Sequence, residues 1–101
     1  MSSKYKAVRT EVDGISFPSK AEANRYKELK LLQSVGRVKW FIRQPSFDVG
    51  PKIRYVADFL VLWLDGTVTV EDVKGIETPV FKLKSKLLKQ TYPNVELQLI
   101  K

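Results

Sequence analysis

Apolar and polar positions along this chain change period several times, and each change marks an element. From Ser19 to Val35, Tyr26, Leu29 and Leu32 recur at three-residue intervals, a helical spacing. Ser19 is placed to cap the start of this helix and Gly36 to stop it. Arg37 to Asp48 turns to the strand formers Val38, Trp40, Phe41 and Ile42. Gln44-Pro45 then makes it an edge strand or a strand that bends at the proline. Tyr55 to Leu64 is apolar on both alternating faces, which predicts a central strand covered on both sides. Asp65-Gly66 turns it into a hairpin with Thr67 to Lys74.

Pro79 after Thr78 opens a second helix that runs to Thr91, with Val80, Leu83 and Leu87 on one face and Lys82, Lys86 and Lys89 on another. A last strand, Val95 to Ile100, follows the turn at Pro93-Asn94. The order α-β-β-β-α-β predicts an α/β or α+β domain with a mixed sheet flanked by helices. Ahead of it lies a basic arm with Lys4, Lys6 and Arg9, then an Asp13-Gly14 hairpin leading to Ile15 and Phe17. The chain thus divides into an arm and hairpin over residues 1–18 and a domain over residues 19–101.

Composition narrows the function. Across 101 residues, 18 Lys+Arg stand against 11 Asp+Glu, a formal net charge of +7, which favours a polyanionic partner and nucleic acid first among them. A chain this short buries a modest core, so a homodimer is expected. The sequence carries no apolar run of the ~18 residues a membrane helix needs. With no signal pattern either, the expected setting is the cytoplasm of a bacterial or phage-infected cell. Cysteine and histidine are both absent, which removes disulfides, thiolate nucleophiles, zinc fingers and imidazole bases. Hydrolysis by this chain would rely on carboxylates, lysine and a hard cation such as Mg²⁺.

Three positions carry that chemistry. Asp58 falls on the strand face of Val56, Leu60, Leu62 and Leu64, where a carboxylate must be paired, bonded to backbone or ligating a cation. Asp72 and Lys74, two apart on the next strand, share the face of Val68 and Val70, while Glu71 points the other way. In a registered hairpin Asp58 and Asp72 become neighbours within ~6 Å, and a divalent cation between them relieves their repulsion. Lys74 is then either a surface partner of Asp72 or the group that orients a water.

Glu22 also has two readings. Ser19-Lys20-Ala21-Glu22 fits a capping box, yet Glu22 also begins the stripe Glu22, Tyr26, Leu29 and Gln33 that packs on the sheet. It can therefore cap, join the acids, or both. Lys82, Lys86 and Lys89 are either a solvated face or phosphate contacts, since Gly75 to Thr78 leads from the acidic strand straight into their helix. Arg37, Lys39, Arg43, Lys52 and Arg54 add positive charge around the sheet.

The segments SKAEANRY, YVADF, EDVKG and FKLKSKLL, which cover most of the chain from Ser19 to Leu88, resemble the PD-(D/E)XK nuclease superfamily. The closer likeness is to a small phage-encoded family of uncharacterised domains within it. Ala57 stands where the superfamily's name has proline. The resemblance implies a restriction-endonuclease-like fold and Mg²⁺ or Mn²⁺ held by Asp58 and Asp72, with the Val73 carbonyl a further ligand. It makes Lys74 the water-orienting group and Glu22 an accessory acid. DNA contacts would come from Lys82, Lys86, Lys89, Arg54, Lys4 and Lys6. Small size, basic charge and an expected dimer look like the Holliday junction resolvases of that superfamily, which act in recombination on branched DNA. Cleavage of flaps, nicks or ordinary duplex, and nucleic-acid binding or a phage structural role without turnover, are the alternatives.

Overall fold

The computed structural model describes residues 8–101, so the expectation for Lys4 and Lys6 falls outside the described residues. Two short strands, β1 (Thr10–Val12) and β2 (Ile15–Phe17), pair antiparallel with Val12 opposite Ile15. Asp13 and Gly14 both take positive φ, 55° and 75°, as a two-residue hairpin turn requires. The ring of Phe17 ends fully buried beneath the first helix.

That helix, α1 (Lys20–Ser34), begins as expected: the Ser19 hydroxyl accepts from the Glu22 N–H at 3.1 Å. It ends at Gly36, whose φ of 84° lets the Arg37 N–H reach the Leu32 carbonyl and its own N–H the Gln33 carbonyl, a Schellman closure. Ala23, Tyr26 and Leu29 face the core.

Gln44-Pro45 splits the next apolar run into β3 (Val38–Arg43) and β4 (Ser46–Gly50), with Gln44 at a φ of 52°. β3 is thus an edge strand of its sheet and stops short of the proline, with β4 in a separate ribbon. The single central strand expected over Tyr55 to Leu64 is two strands instead. β5 (Ile53–Val56) pairs with β4 in a separate ribbon, and β6 (Phe59–Trp63) joins the main sheet. The break at Ala57-Asp58 is held by three backbone bonds to two segments: Ala57 N–H to Pro45, Gln44 N–H to the Asp58 carbonyl, and Asp58 N–H to Glu71. An apolar run cannot signal this break, because both halves need the same residue types.

β7 (Val68–Val73), α2 (Pro79–Thr91) and β8 (Glu96–Ile100) complete a four-stranded mixed sheet in the order β3-β6-β7-β8, parallel only between β7 and β8. The result is a mixed α+β domain with two helices. α1 packs over Phe59 and Val61. α2 packs over Val70, Leu97 and Leu99 on the opposite face. The doubly covered strand is therefore β7, whose Thr69, Val70, Glu71 and Asp72 are all buried.

The face of α2 also differs from its expected one. Phe81 and Leu88 are its buried residues, while Val80 and Leu83 are exposed and Leu87 only partly covered. Position i to i+7 serves either stripe equally well, so spacing alone does not choose between them. Among the described residues no helix is long and apolar enough to cross a membrane.

Candidate active site

The β6–β7 pairing ends with Phe59 opposite Glu71, so Asp58 and Asp72 are the residues that follow at its open end. Asp58 lies just before β6, freed from regular pairing by the break, and its Oδ2 accepts the Val73 N–H at 2.7 Å. Asp72 is almost fully buried on the α2 side; the Tyr55 hydroxyl from β5 donates to its Oδ2. Lys74 Nζ stands 4.0 Å from Asp72 Oδ1 and 5.0 Å from the centre of the Phe81 ring, with its side chain one-third exposed. The lysine thus lies between a buried acid and solvent.

Glu22 joins this group from the other layer. Its N–H completes the cap on Ser19, while its carboxylate turns toward Asp58 and Arg43, with Arg43 Nη2 at 3.8 Å from Oε2. The Ser19 half of the capping box thus forms, while the Glu22 carboxylate turns toward the acids and not back to the Ser19 N–H that the full box would pair. Oε2 is buried without a hydrogen-bond partner, as is Arg43 Nε, whose guanidinium lies 4.5 Å from the centre of the Phe17 ring. A buried carboxylate oxygen left unpaired is costly unless it is protonated or meets a cation.

Burial, reinforced by the charge of Asp58 and by a hydrogen bond to it that only the protonated acid can make, pushes the Glu22 carboxyl up to about 7. Burial also pushes Asp72 up to about 6, against the pull of Lys74 and of the Asp58 backbone N–H. Both acids bind protons more tightly folded than unfolded, so their contribution to stability is full in acid and is lost as pH rises through about 6 and then about 7. In EDTA the melting temperature should fall between pH 5 and pH 8, and Glu22→Gln should flatten that fall. A melting temperature that rises over the same interval would contradict this electrostatic picture.

Glu71, next to Asp72, has a different fate. It lies on the α1 face as its parity requires, fully buried, and receives both Arg25 Nε and Nη2 at 2.7 and 2.5 Å. This bidentate pair is structural and leaves Glu71 no free oxygen for the site.

The remaining basic residues spread out. Lys82 is exposed near the start of α2, close to the loop that leaves Lys74. Lys86 and Lys89 instead border a 510 Å³ cavity with Asn94 and Glu96. Glu96 pairs with Thr69 at the opposite end of β7 from Asp72, so these two lysines do not share a location with the acids. Arg54 is exposed on β5 and lies 3.7 Å from Asp48. Tyr55 and Arg43 are the neighbours that sequence reasoning did not assign to the site. No local pattern marks Tyr55, which reads as one more apolar residue in its run.

Among the described residues, no three acidic side chains already stand together in a cation-holding arrangement. Mg²⁺ needs less than that: one or two carboxylates, with water completing the shell. Asp58 and Asp72, with the unpartnered Glu22 Oε2 nearby, fit such a partly hydrated ion. Residues 2–101 match a protein family described as Protein of unknown function (DUF1064). No curated protein matches the chain.

Proposed function

We propose that this chain, which belongs to the DUF1064 family of unknown function, is a divalent-metal-dependent endonuclease that hydrolyses DNA phosphodiester bonds. The observation that carries this reading is the meeting of Glu22, Asp58 and Asp72 beside a part-exposed Lys74 on a chain of net charge +7. Two acids with raised pKa values, gathered with a third acid and one amine, are a catalytic arrangement more readily than a stabilising one. The resemblance of its segments to the PD-(D/E)XK superfamily supports the same assignment, and with it a restriction-endonuclease-like form of the α+β fold.

In this reading Asp58 and Asp72, with the Val73 carbonyl, hold Mg²⁺ or Mn²⁺. When bound, the ion lowers the pKa of a water and neutralises charge on the phosphate. Asp58 is oriented by the Val73 N–H and Asp72 by the Tyr55 hydroxyl, so each keeps one oxygen for ligation. Lys74 orients the attacking water and stabilises charge on the phosphoryl oxygens. Glu22 accepts a proton near neutrality and supplies the accessory acid. Lys82, exposed near the start of α2, contacts phosphate in this reading; Arg54, Lys86 and Lys89 serve positions farther along the nucleic acid.

Branched DNA is the proposed substrate and a homodimer the proposed form, acting in the cytoplasm during recombination. The sheet face that α2 leaves open, with Trp40 and Ile42 exposed on β3, is where a second copy would pack. Labelled four-way junction, flap, linear duplex and single strand, each incubated with Mg²⁺, Mn²⁺ or EDTA, test the assignment. Metal-dependent cutting of the junction ahead of the duplex is the expected result. Tight binding of every substrate with no cutting would favour a non-catalytic binding module, and equal cutting of duplex and junction would remove branch selectivity.

A further inference from the structure

A cavity of about 800 Å³ lies between the first turn of α1 and the loop from β7 to α2. It shares Lys74 with the acidic cluster, and Ala21 on its wall directly precedes Glu22. Its walls are mainly aliphatic, with Ala21, Ile76 and Ile100 among them, its lysines include Lys20 and Lys74, and among the described residues no acidic side chain lines it. Sites for small organic ligands fall in roughly this range of volume, about 300–1,000 Å³, with apolar walls and a few placed polar groups.

We infer that this cavity receives a single unstacked nucleotide of the DNA strand, its base against the aliphatic walls and its phosphate toward Lys20 and Lys74. A base inside continuous duplex is stacked on both faces and cannot enter such a space, whereas an unpaired one can. Lys20 and Ala21 begin α1, so their N–H groups have no acceptor in the helix and add to the lysines' attraction for a phosphate oxygen. A phosphodiester strand suits the cavity by charge, since its walls bring lysines to a chain of net charge +7. The inference rests on the nuclease reading and sharpens it: the bond to be cut lies beside an unpaired nucleotide, at a branch, a bulge or a single-stranded end.

The test is binding in EDTA at fixed salt, where cutting plays no part. The probes are a fluorescein-labelled duplex with one unpaired nucleotide and the same duplex fully paired. The unpaired nucleotide should improve affinity about tenfold, in line with the value of burying one base. Ile76→Trp fills the cavity from an exposed loop position, where folding tolerates it, and should reduce that preference to about twofold or less while leaving the paired duplex unchanged. Lys20→Ala should weaken the unpaired probe more than the paired one. Equal affinity of wild type for both probes, or a preference that survives Ile76→Trp, overturns the inference. So does a change in sedimentation of Ile76→Trp, which would make the cavity a contact between copies. Cutting in Mg²⁺ is scored separately: a retained preference with no cutting contradicts the nuclease and leaves the nucleotide site standing.

Discussion

Asp58→Asn is expected to reduce DNA cleavage in Mg²⁺ by about a thousandfold, a loss of roughly 4 kcal/mol of transition-state stabilisation. The amide is isosteric, and its oxygen can still accept the Val73 N–H, so the backbone at the end of β7 keeps its partner. What disappears is the negative charge that a cation requires. Asp72→Asn should behave alike, because its amide oxygen still accepts from the Tyr55 hydroxyl. Lys74→Ala should lose about a hundredfold, the lower end of what a positioned proton-transfer group contributes. A second readout separates function from folding. Asp58→Asn removes the charge that raises Glu22, so the metal-free variant should melt higher than wild type near pH 8. A variant that loses both cleavage and stability would point to a structural role for Asp58 instead.

The largest expected effect on stability is at Arg25→Ala, about 3–5 kcal/mol by urea denaturation. Glu71 is 0% exposed and Arg25 only 14%, so removing the arginine strands a carboxylate with no water to turn to. A loss of that size is a large share of the ~5–15 kcal/mol that holds a domain of this kind together. The double replacement Arg25→Met with Glu71→Leu should recover most of the loss, since a buried ion pair exchanged for apolar groups of similar volume is often neutral. Failure of the double variant to recover would mean that the pair also sets the position of α1 on β7. Because Glu71 faces α1 while Asp72 faces α2, the double variant should cut DNA at close to the wild-type rate.

The elements that declared themselves in the sequence are those with local chemistry at their ends. Ser19, Gly36, Asp13-Gly14 and Pro79 each fix a boundary through a cap, a left-handed φ or a missing donor, and each boundary lies where those residues put it. The hairpin of β6 and β7 was legible from two runs of strand formers on either side of Asp65-Gly66, and with it the open end where Asp58 and Asp72 follow Phe59 and Glu71. Hidden were features decided by distant partners. The Arg25–Glu71 pair spans 46 positions and has no local signal. Tyr55 reaches Asp72 only because the chain breaks at Asp58 and sends β5 into its own ribbon. The choice of Phe81 and Leu88 over Val80 and Leu83 as the buried face of α2 depends on which side of that helix meets β4 and β5.

Glu22 shows how a helix-start position and a place among the acids can fall on one residue. Its backbone belongs to the helix start and its carboxylate to the acids, so a capping pattern in sequence does not exclude a role in chemistry. Asp58 is similar: its bond to the Val73 N–H is the ordinary backbone contact a lone strand-end acid makes, and it is also what aims the other oxygen.

The most direct measurement is anomalous scattering from crystals of the wild-type protein soaked in Mn²⁺. A cation held by these acids should give a peak about 2.1–2.4 Å from both the Asp58 and Asp72 carboxylates, lost in Asp58→Asn. No peak between these carboxylates at saturating Mn²⁺, or one that persists in the variant, would contradict a metal-dependent active site here.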